Sequence, residues 1–377
     1  MNKITCLSLF SCAGLAETYF KEVGFHVVLA NELLKDRCDF YKYLYPETEI
    51  LHGDIKDRKL RSALIKKALQ YKVDFIIATP PCQGMSRHGK RDSDDQRNQL
   101  IYYAIDVILK VRPKFILLEN VPKQLSTYIN YKNNKILIPD YIKLKLKKLY
   151  NINEDTIFNS ADYGVPQTRK RSIFCMADKS INATWKRPIP DKDTIPLEKA
   201  IGHLPSLDPN IREEEKRFFF PKYEIKRNKG LLVSKWHYPP VHSWNHVKWM
   251  SHTPSGKSAF ENKIFYPKKK DGKKINGRIS TYKRYSWSKP ANTLTQNNGV
   301  ISSAICVHPG RLIKKNLKGN YTYSDARVLS IYELLIVSSL PLNWNIPDWA
   351  NDKIIRSVIG EGIPPLLIKK IVQQIKY

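Results

Sequence analysis

Residues 74–84 read DFIIATPPCQG, a short apolar run that stops at two prolines. The apolar run predicts a buried strand at Asp74–Ala78, and proline cannot continue a central strand because it has no N–H to pair with a neighbour. The chain must therefore turn here and present Cys82 at the carboxyl edge of the sheet. A lone cysteine after a strand is more often buried and inert, but the flanking prolines and the polar loop that follows favour a reactive thiol.

Other apolar runs before residue 180 alternate with helical patterns. Five of them predict strands, at Thr5–Phe10, Val27–Asn31, Lys114–Glu119, Thr156–Asn159 and Ser172–Met176. Between them apolar residues recur at helical spacing, as at Leu60, Leu64 and Ala68. This alternation predicts an α/β fold with a doubly wound, mostly parallel, Rossmann-like sheet, whose ligands bind at the carboxyl ends of the strands.

The chain of 377 residues has 64 basic and 35 acidic side chains, a net charge of +29. The excess positive charges repel one another in the folded protein, and binding to a polyanion offsets this electrostatic repulsion. Nucleic acid is therefore the favoured partner. A lysine-rich proteome is the alternative explanation. No apolar run is long enough for a membrane span, and the start, MNKITCLSLF, lacks the features of a secretion signal. The sequence therefore predicts a cytoplasmic protein with no membrane partner.

Neither the cysteines nor the histidines are spaced as metal ligands. The six cysteines are scattered without a Cys-x-x-Cys pair, which excludes a zinc cluster and a disulfide framework. His237, His242, His246 and His252 have no cysteine nearby and irregular spacing, so we expect no metal site there. These histidines, with the neighbouring Trp, Asn and Lys residues, are better interpreted as a surface that contacts bases and backbone.

The character of the sequence changes near residue 180. Residues 181–280 are rich in Pro, Trp, Tyr, His and Lys and have weak periodicity, which predicts a smaller, irregular domain. Helical order returns where Ser330 and Glu333 have the spacing of a capping box. We expect domains at 1–177 and 178–283, and a C-terminal segment at 284–377 whose last part rejoins the first domain.

Two further groups of polar residues adjoin predicted strands. Glu119 ends one predicted apolar strand, and Cys82 follows the end of a neighbouring one. A nucleophile and a general acid would therefore face the same crevice. Gln167, Arg169 and Arg171 alternate before another strand, and alternation would place them on one side, where they suit a phosphate or a base edge. A solvated basic turn is the alternative for these three.

Taken together, these motifs resemble the cytosine carbon-5 DNA methyltransferases of the bacterial, restriction–modification type. Pro81-Cys82-Gln83, Glu119-Asn120-Val121 and Gln167-x-Arg169-x-Arg171 occur in the order found in that family. Further similar segments are Phe10–Gly14, Asn31-Glu32, Gly53–Ile55, Arg97–Leu100, Arg284 with Pro290–Thr293, and Gly360–Pro365. The likeness covers the chain except for roughly residues 178–283.

The resemblance implies a methyltransferase that depends on S-adenosylmethionine, with a catalytic domain at 1–177 and a target-recognition domain at 178–283. The residues it assigns to the cofactor are Phe10, Ser11, Gly14, Glu32, Asp54, Ile55, Pro81, Leu100 and Glu361. Those it assigns to DNA are Gln83, Ser86, Arg87, Arg97 and Gln167. The chain departs from the family pattern at Cys12 and Leu15, where glycines are usual, and at Glu361, where asparagine is usual.

The chemistry implied by the resemblance begins with the Cys82 thiolate, which adds to carbon 6 of cytosine. Glu119 would protonate ring nitrogen 3, and Arg169 and Arg171 would hold the base's carbonyl oxygen and a phosphate. Because none of this is possible inside a stacked duplex, the cytosine must be flipped out.

The resemblance also implies partners and leaves alternatives open. We expect the protein to bind double-stranded DNA as a monomer, at the nucleoid in the bacterial cytoplasm. We also expect a companion restriction endonuclease that acts on the same DNA site. A transfer RNA methyltransferase and an inactive DNA-binding relative are the alternatives. Covalent trapping of the target base distinguishes all three.

Overall fold

The computed structural model describes residues 3–81, 96–315 and 321–376. Its internal contacts divide the chain into two compact units. The first contains Met1–Asn159, Lys170–Pro190 and Pro365–Tyr377, and the second contains Ser160–Arg169 and Asp191–Pro364. The contact units follow packing alone, so the assignment of target recognition to residues 178–283 stays a prediction.

The strands and helices of both units are numbered together in chain order, and they alternate through residues 25–120, as the sequence predicts. The strands are β1 Ile4–Leu9, β2 Phe25–Glu32, β3 Glu49–His52, β4 Phe75–Ala78, β5 Phe115–Asn120, β6 Tyr128–Tyr131, β7 Asn134–Leu137, β8 Tyr150–Ile152, β9 Ile157–Asn159, β10 Lys170–Asp178, β11 Thr184–Trp185, β12 Asn210–Ile211, β13 Val241–His242, β14 Leu312–Lys315, β15 Tyr321–Tyr323 and β16 Ile375–Lys376. The helices are α1 Lys35–Leu44, α2 Arg58–Gln70, α3 Leu100–Val111, α4 Ile138–Leu146, α5 Leu197–Ile201, α6 Tyr223–Val233, α7 Trp244–Ser251, α8 Ile331–Val337, α9 Asp352–Glu361 and α10 Pro365–Val372.

The main sheet of the first unit has the order β3-β2-β1-β4-β5-β10-β8, and β9 also pairs with β10. Neighbours from β3 to β5 are parallel, and β10 is antiparallel to β5, β8 and β9. The predicted doubly wound, mostly parallel, Rossmann-like sheet is therefore confirmed. The chain leaves β1 towards β2 and β3, then returns to build β4 and β5 on the other side of β1. Ligands of such sheets bind where the strand order reverses, which here lies between β1 and β4.

All six predicted strands are present, with ends shifted by a few residues. The apolar pattern did not predict β3 and β8, which lie at the two ends of the strand order and have few buried residues. An edge strand is covered on fewer sides, so its apolar pattern is weak. The central strands are apolar because helices cover both faces, and they contribute Leu7, Ile76 and Leu118 to the buried core of the first unit.

Helix ends follow the local chemistry of their caps. The predicted capping box at Ser330 and Glu333 is present at the start of α8, where each side chain accepts a hydrogen bond from the other residue's backbone N–H. Asp140 is a residue type that often caps helices, but it lies within the first turn of α4, which begins at Ile138. Pro139 allows that earlier start, since proline fits the first turn of a helix.

The second unit has its own core and a buried polar centre. Arg284 donates to the backbone carbonyls of His308, Asp325, Met250 and Ser324 at 2.7–3.0 Å. These bonds join residues before and after the predicted boundary at 283 in one packed body. Within the described residues, no helix is both long and apolar enough to cross a membrane.

Candidate active site

Two loops follow the central strands β1 and β4, where the order of the sheet reverses. Thr79 donates its backbone N–H to Leu9 O at 3.2 Å and its hydroxyl to Phe10 O at 3.0 Å. These bonds fix the start of the Pro80-Pro81 turn beside the start of the loop after β1. The loops predicted to carry the nucleophile and to bind the cofactor therefore begin side by side, at the edge of the sheet where ligands bind.

Cys82 lies outside the described residues, together with the predicted DNA contacts Gln83, Ser86 and Arg87. The side chain of Arg97 is also outside them. Their roles stay predictions. The half-buried Pro81 is the last residue described before Cys82.

Asn120 is a site residue that the sequence analysis did not single out. It ends β5, and its buried Nδ2 donates to Pro80 O at 2.9 Å while its Oδ1 accepts from Val121 N at 2.8 Å. The first bond ties the turn two residues before Cys82 to the end of the strand that carries Glu119. Its position between Glu119 and Val121 in the family motif was the only signal available in the sequence.

Glu119 forms an ion pair with Arg171, with 2.8 Å between Arg171 Nε and Glu119 Oε1. Both side chains are 11% exposed. The strand register explains the pairing: Ile173 of β10 lies opposite Glu119, and Arg171, two residues away, points to the same face. Arg171 is therefore placed to hold the Glu119 carboxyl group at the edge of the sheet.

Arg169 and Gln167 have different surroundings from Arg171. Arg169 is 3% exposed and donates to the backbone carbonyls of Leu294, Gly360 and Glu361 at 2.8–3.0 Å. Gln167 is 1% exposed and donates to Val337 O at 3.2 Å. The prediction that strand alternation aligns all three side chains is wrong, because β10 begins only at Lys170. These contacts hold the second unit together and do not support Gln167 as a DNA contact.

Several residues of the loop after β1 have positive φ angles, in the left-handed region of backbone conformation. Phe10, Cys12 and Gly14 have φ of 58°, 49° and 76°. Cys12 keeps the positive φ at a position where the resemblance leads one to expect glycine. A Cβ on Gly14 would lie 2.4 Å from the Tyr45 ring, and Tyr45 donates its hydroxyl to Gly14 O at 2.7 Å. The glycine therefore lets the loop lie flat against two tyrosines, since Tyr41 also contacts this point.

Glu32 ends β2 and holds the same loop from the other side. Its Oε2 accepts from Cys12 N at 2.9 Å, and its Oε1 accepts from Leu33 N and Leu34 N at 2.8 and 2.9 Å. Ser11 Oγ is buried and has no hydrogen-bond partner in the described part of the chain. The Glu32 carboxylate beside the loop and the unsatisfied Ser11 hydroxyl on it thus lie where a polar ligand is expected.

The other predicted cofactor residues are distributed around the two units. Asp54 follows β3, is partly exposed and lies 3.3 Å from Lys56 Nζ, while Ile55 is buried in the core. Leu100 is buried at the start of α3. Glu361, at the end of α9 in the second unit, accepts from Gln296 Nε2 at 2.8 Å.

Glu17 is a buried acid beneath the loop that the sequence analysis missed. It accepts hydrogen bonds from the hydroxyls of Ser8 and Tyr41. Burial raises the pKa of Glu17 to about 7, although these two hydrogen bonds act in the opposite direction. Tyr41 also touches Gly14, so Glu17 supports the loop indirectly.

The described cysteines other than Cys12 are buried. Burial raises the pKa of Cys38 and of Cys306 to about 12 and also raises the pKa of Cys6 and Cys175. A thiol with a raised pKa is a poor nucleophile at neutral pH, because little of it is thiolate. These four cysteines are suited to packing.

The four histidines His237, His242, His246 and His252 make separate contacts. His237 lies 3.0 Å from Ser330 Oγ, His242 accepts from Val328 N at 3.2 Å, and His252 lies 2.9 Å from Tyr321 O. His246 packs against the rings of Trp249 and Tyr282. Among the residues that the structure describes, no group of three or more His, Cys, Asp or Glu is placed to hold a metal ion.

Comparisons with known proteins match the whole chain. The family model of the C-5 cytosine-specific DNA methylases matches residues 4–377. Type II methyltransferase M1.HgaI of Avibacterium volantium is 43% identical over 379 residues, which cover 99% of this chain and 98% of that protein. Type II methyltransferase M1.HphI of Haemophilus parahaemolyticus is 27% identical and covers 99% of this chain and 86% of that protein.

Solved structures support the same fold. A candidate DNA modification methyltransferase encoded within an E. coli prophage superposes with a TM-score of 0.66 at 19% identity, covering 99% of this chain and 98% of that one. At this identity the likeness concerns the fold alone, and it agrees with the methyltransferase form of the Rossmann-like sheet.

Proposed function

Because this chain belongs to the C-5 cytosine-specific DNA methylase family and is thus a DNA (cytosine-5-)-methyltransferase, we propose that it takes the methyl group from S-adenosylmethionine and that Cys82 is its nucleophile. The observation that carries the assignment of Cys82 is the Asn120–Pro80 hydrogen bond. It holds the turn before Cys82 against the end of the strand that bears Glu119. The buried position of Cys6, Cys38, Cys175 and Cys306 also favours Cys82.

The proposed reaction needs a nucleophile and an acid on one cytosine. The Cys82 thiolate forms a bond to carbon 6, and ring nitrogen 3 takes a proton from Glu119 as the electrons of the 5,6 double bond shift towards carbon 5. When bound, S-adenosylmethionine supplies an electrophilic methyl group. Carbon 5 would take that methyl group, and the sulfur of the cofactor would keep the electron pair of the broken S–C bond. Carbon 5 then loses its proton to solvent, and ring nitrogen 3 returns its proton to Glu119. The electron pair from that C–H bond re-forms the double bond and expels the Cys82 thiolate.

Within this scheme we assign the two arginines different roles. Arg171 holds Glu119 through the 2.8 Å ion pair and so orients the acid towards the base. Arg169 acts from within the second unit, where it fixes the chain near Leu294 and Gly360 through their carbonyls. We therefore propose Arg169 as a positioning residue instead of the catalytic one that the motif suggested.

The residues around the loop after β1 fit S-adenosylmethionine. Ser11 Oγ offers a free hydroxyl within the described structure, and Glu32 places a carboxylate at the end of β2, a position suited to ribose hydroxyls. Gly14 leaves room where a Cβ would meet Tyr45. We propose that these residues, with Phe10, Asp54, Ile55, Pro81 and Leu100, bind the cofactor, and the role that the resemblance assigns to Glu361 stays a prediction.

Gly14→Ala tests this assignment. We expect the free energy of unfolding to fall by more than about 1 kcal/mol, because an L side chain at positive φ is strained and the new methyl overlaps Tyr45. We also expect affinity for S-adenosylmethionine, measured by isothermal titration, to fall at least about tenfold. Gly24→Ala is the matched control, since Gly24 has φ +82° but an added Cβ meets nothing within 4 Å. Equal cofactor affinity in both variants would contradict the assignment.

Asn120→Asp tests the tether before Cys82. Aspartate keeps an acceptor for Val121 N–H but loses the donor to Pro80 O. We expect the methyl-transfer rate to fall about 10- to 100-fold, because a displacement of about 1 Å at a reacting group has an effect of this size. Single-turnover methylation measures the rate, and titration with S-adenosylmethionine should give unchanged affinity. Asn130→Asp, at an exposed position in β6, makes the same charge change and should be active; a normal rate in Asn120→Asp would argue against the tether.

Covalent trapping tests the whole proposal. The enzyme is incubated with S-adenosylmethionine and a duplex library containing 5-fluorocytosine, because fluorine on carbon 5 cannot leave as a proton would. We expect a stable protein–DNA adduct, and sequencing the trapped DNA would identify the target. An adduct with transfer RNA alone would favour RNA modification, and no adduct with either would favour an inactive relative.

The family and the relatives of the chain point to the partners that we propose for it, which are DNA and a companion endonuclease. DNA is the substrate of the family, and the relatives named above are Type II methyltransferases. We propose that a companion endonuclease cuts the same sequence, and that the enzyme acts as a monomer on DNA at the nucleoid in the bacterial cytoplasm. Light scattering of the protein with its target duplex measures the proposed stoichiometry.

A further inference from the structure

Three aromatic rings form a continuous stack on the surface of the second unit. The Phe218 and Phe219 ring centroids are 4.2 Å apart with an interplanar angle of 30°. The Phe219 and Trp244 centroids are 4.5 Å apart with an angle of 16°. We call Phe218, Phe219 and Trp244 the aromatic stack.

The inner end of the stack is fixed and the outer end is open. Trp244 is the first residue of α7, and its backbone N–H donates to Glu213 Oε2 at 2.8 Å. Its ring packs against the core of the second unit. Phe219 lies between the other two rings, and Phe218, at the outer end, is 69% exposed. A phenylalanine this exposed buries little apolar surface and so contributes little to the free energy of folding. Stability therefore does not explain its position.

The charge around the stack suits a polyanion. Residues 212–229 contain more basic than acidic side chains. The basic ones are Arg212, Lys216, Arg217, Lys222, Lys226, Arg227 and Lys229, and the acidic ones are Glu213, Glu214, Glu215 and Glu224. With the net charge of +29 and the family's DNA substrate, this surplus favours nucleic acid over an apolar protein partner at this surface.

We propose that Phe218 inserts at a base step of the bound duplex and stacks on a base, with Phe219 and Trp244 behind it as a rigid support. An aromatic face accepts any base, because every base has a π-face, and apolar wedges open base steps in other DNA-binding proteins. A ring already held in a stack loses little conformational entropy on binding. This inference rests on the proposed DNA-methylating function and adds a site on the second unit that binds the duplex.

The test uses the duplex identified by covalent trapping. Fluorescence anisotropy measures its affinity for the full-length wild-type enzyme, Phe218→Ala and Phe218→Trp. We expect Phe218→Ala to bind about 5- to 150-fold more weakly, the range for losing one stacked base, and Phe218→Trp to bind as the wild type does. The salt dependence of binding should be unchanged in Phe218→Ala, because no phosphate contact is removed. Ile225→Ala is the matched control, since Ile225 is an apolar side chain on α6 that is 59% exposed.

A second measurement locates the insertion. Duplexes carry a single 2-aminopurine at successive positions outside the target cytosine, and its fluorescence changes when its stacking is disturbed. We expect one position to respond in the wild type and in Ile225→Ala but not in Phe218→Ala. If the wild type traps DNA while Phe218→Ala matches it in affinity and 2-aminopurine response, the inference is wrong and the methyltransferase assignment stands. A change in oligomeric state with unchanged DNA affinity would show that a second copy of the chain occupies this surface instead. If the wild type forms no adduct, the proposed function itself fails.

Discussion

Cys82→Ser is expected to abolish methyl transfer while DNA binding is retained. A serine hydroxyl is almost entirely protonated at neutral pH and adds poorly to carbon 6, so the first covalent step is lost. Removal of a catalytic nucleophile lowers turnover by on the order of 10⁴-fold or more. Transfer of a labelled methyl group to the target duplex measures the activity, and fluorescence anisotropy measures DNA affinity.

The control for Cys82→Ser is the same substitution at Cys12. Cys12 is the cysteine whose backbone N–H bonds to Glu32, and its thiol has no role in the proposed chemistry. Cys12→Ser should form the 5-fluorocytosine adduct and Cys82→Ser should not. Substantial turnover by Cys82→Ser would remove Cys82 from its assigned role.

Glu119→Gln is expected to slow the chemical step by about 10²- to 10⁴-fold, the usual contribution of a general acid. Glutamine keeps the size of the side chain but cannot deliver a proton to ring nitrogen 3. The substitution also removes the ion-pair partner of Arg171, whose side chain is 11% exposed, so we expect a loss of stability of about 1–3 kcal/mol. Single-turnover kinetics should therefore be measured at a temperature where urea unfolding shows the variant to be folded.

Two further variants distinguish the role of Glu119 from that of Arg171, which holds it. Glu154→Gln removes an exposed carboxylate in the loop after β8 and should leave activity unchanged. Arg171→Lys keeps the positive charge but loses the Nε–H that meets Glu119, so we expect a smaller loss than in Glu119→Gln. If Glu119→Gln turns over near the normal rate with bound cofactor, the general acid must be another group.

Much of the fold could be predicted because its signals are local. The strand β4 and the first four residues of β5 are continuous apolar runs, and β1 and β2 are mostly apolar, as expected for strands buried on both faces. The capping box of α8 was predictable because its two partners are three residues apart. In contrast, the edge strands β3 and β8 were missed because a poorly covered strand carries little apolar pattern.

The features of the candidate site likewise include some that are set by local sequence and some that are set by tertiary contacts. Proline geometry and apolar runs act within a few residues, so the sequence alone predicts the turn after β4, the position of Glu119 near the end of β5 and the order of the family motifs. The pairing of Arg171 with Glu119 and the binding of Arg169 to the carbonyls of Leu294 and Gly360 depend on tertiary packing. Residues two apart in sequence received different partners, because strand register and the packing of segments more than a hundred residues away set the contacts of a side chain, and neither is encoded in its immediate neighbours.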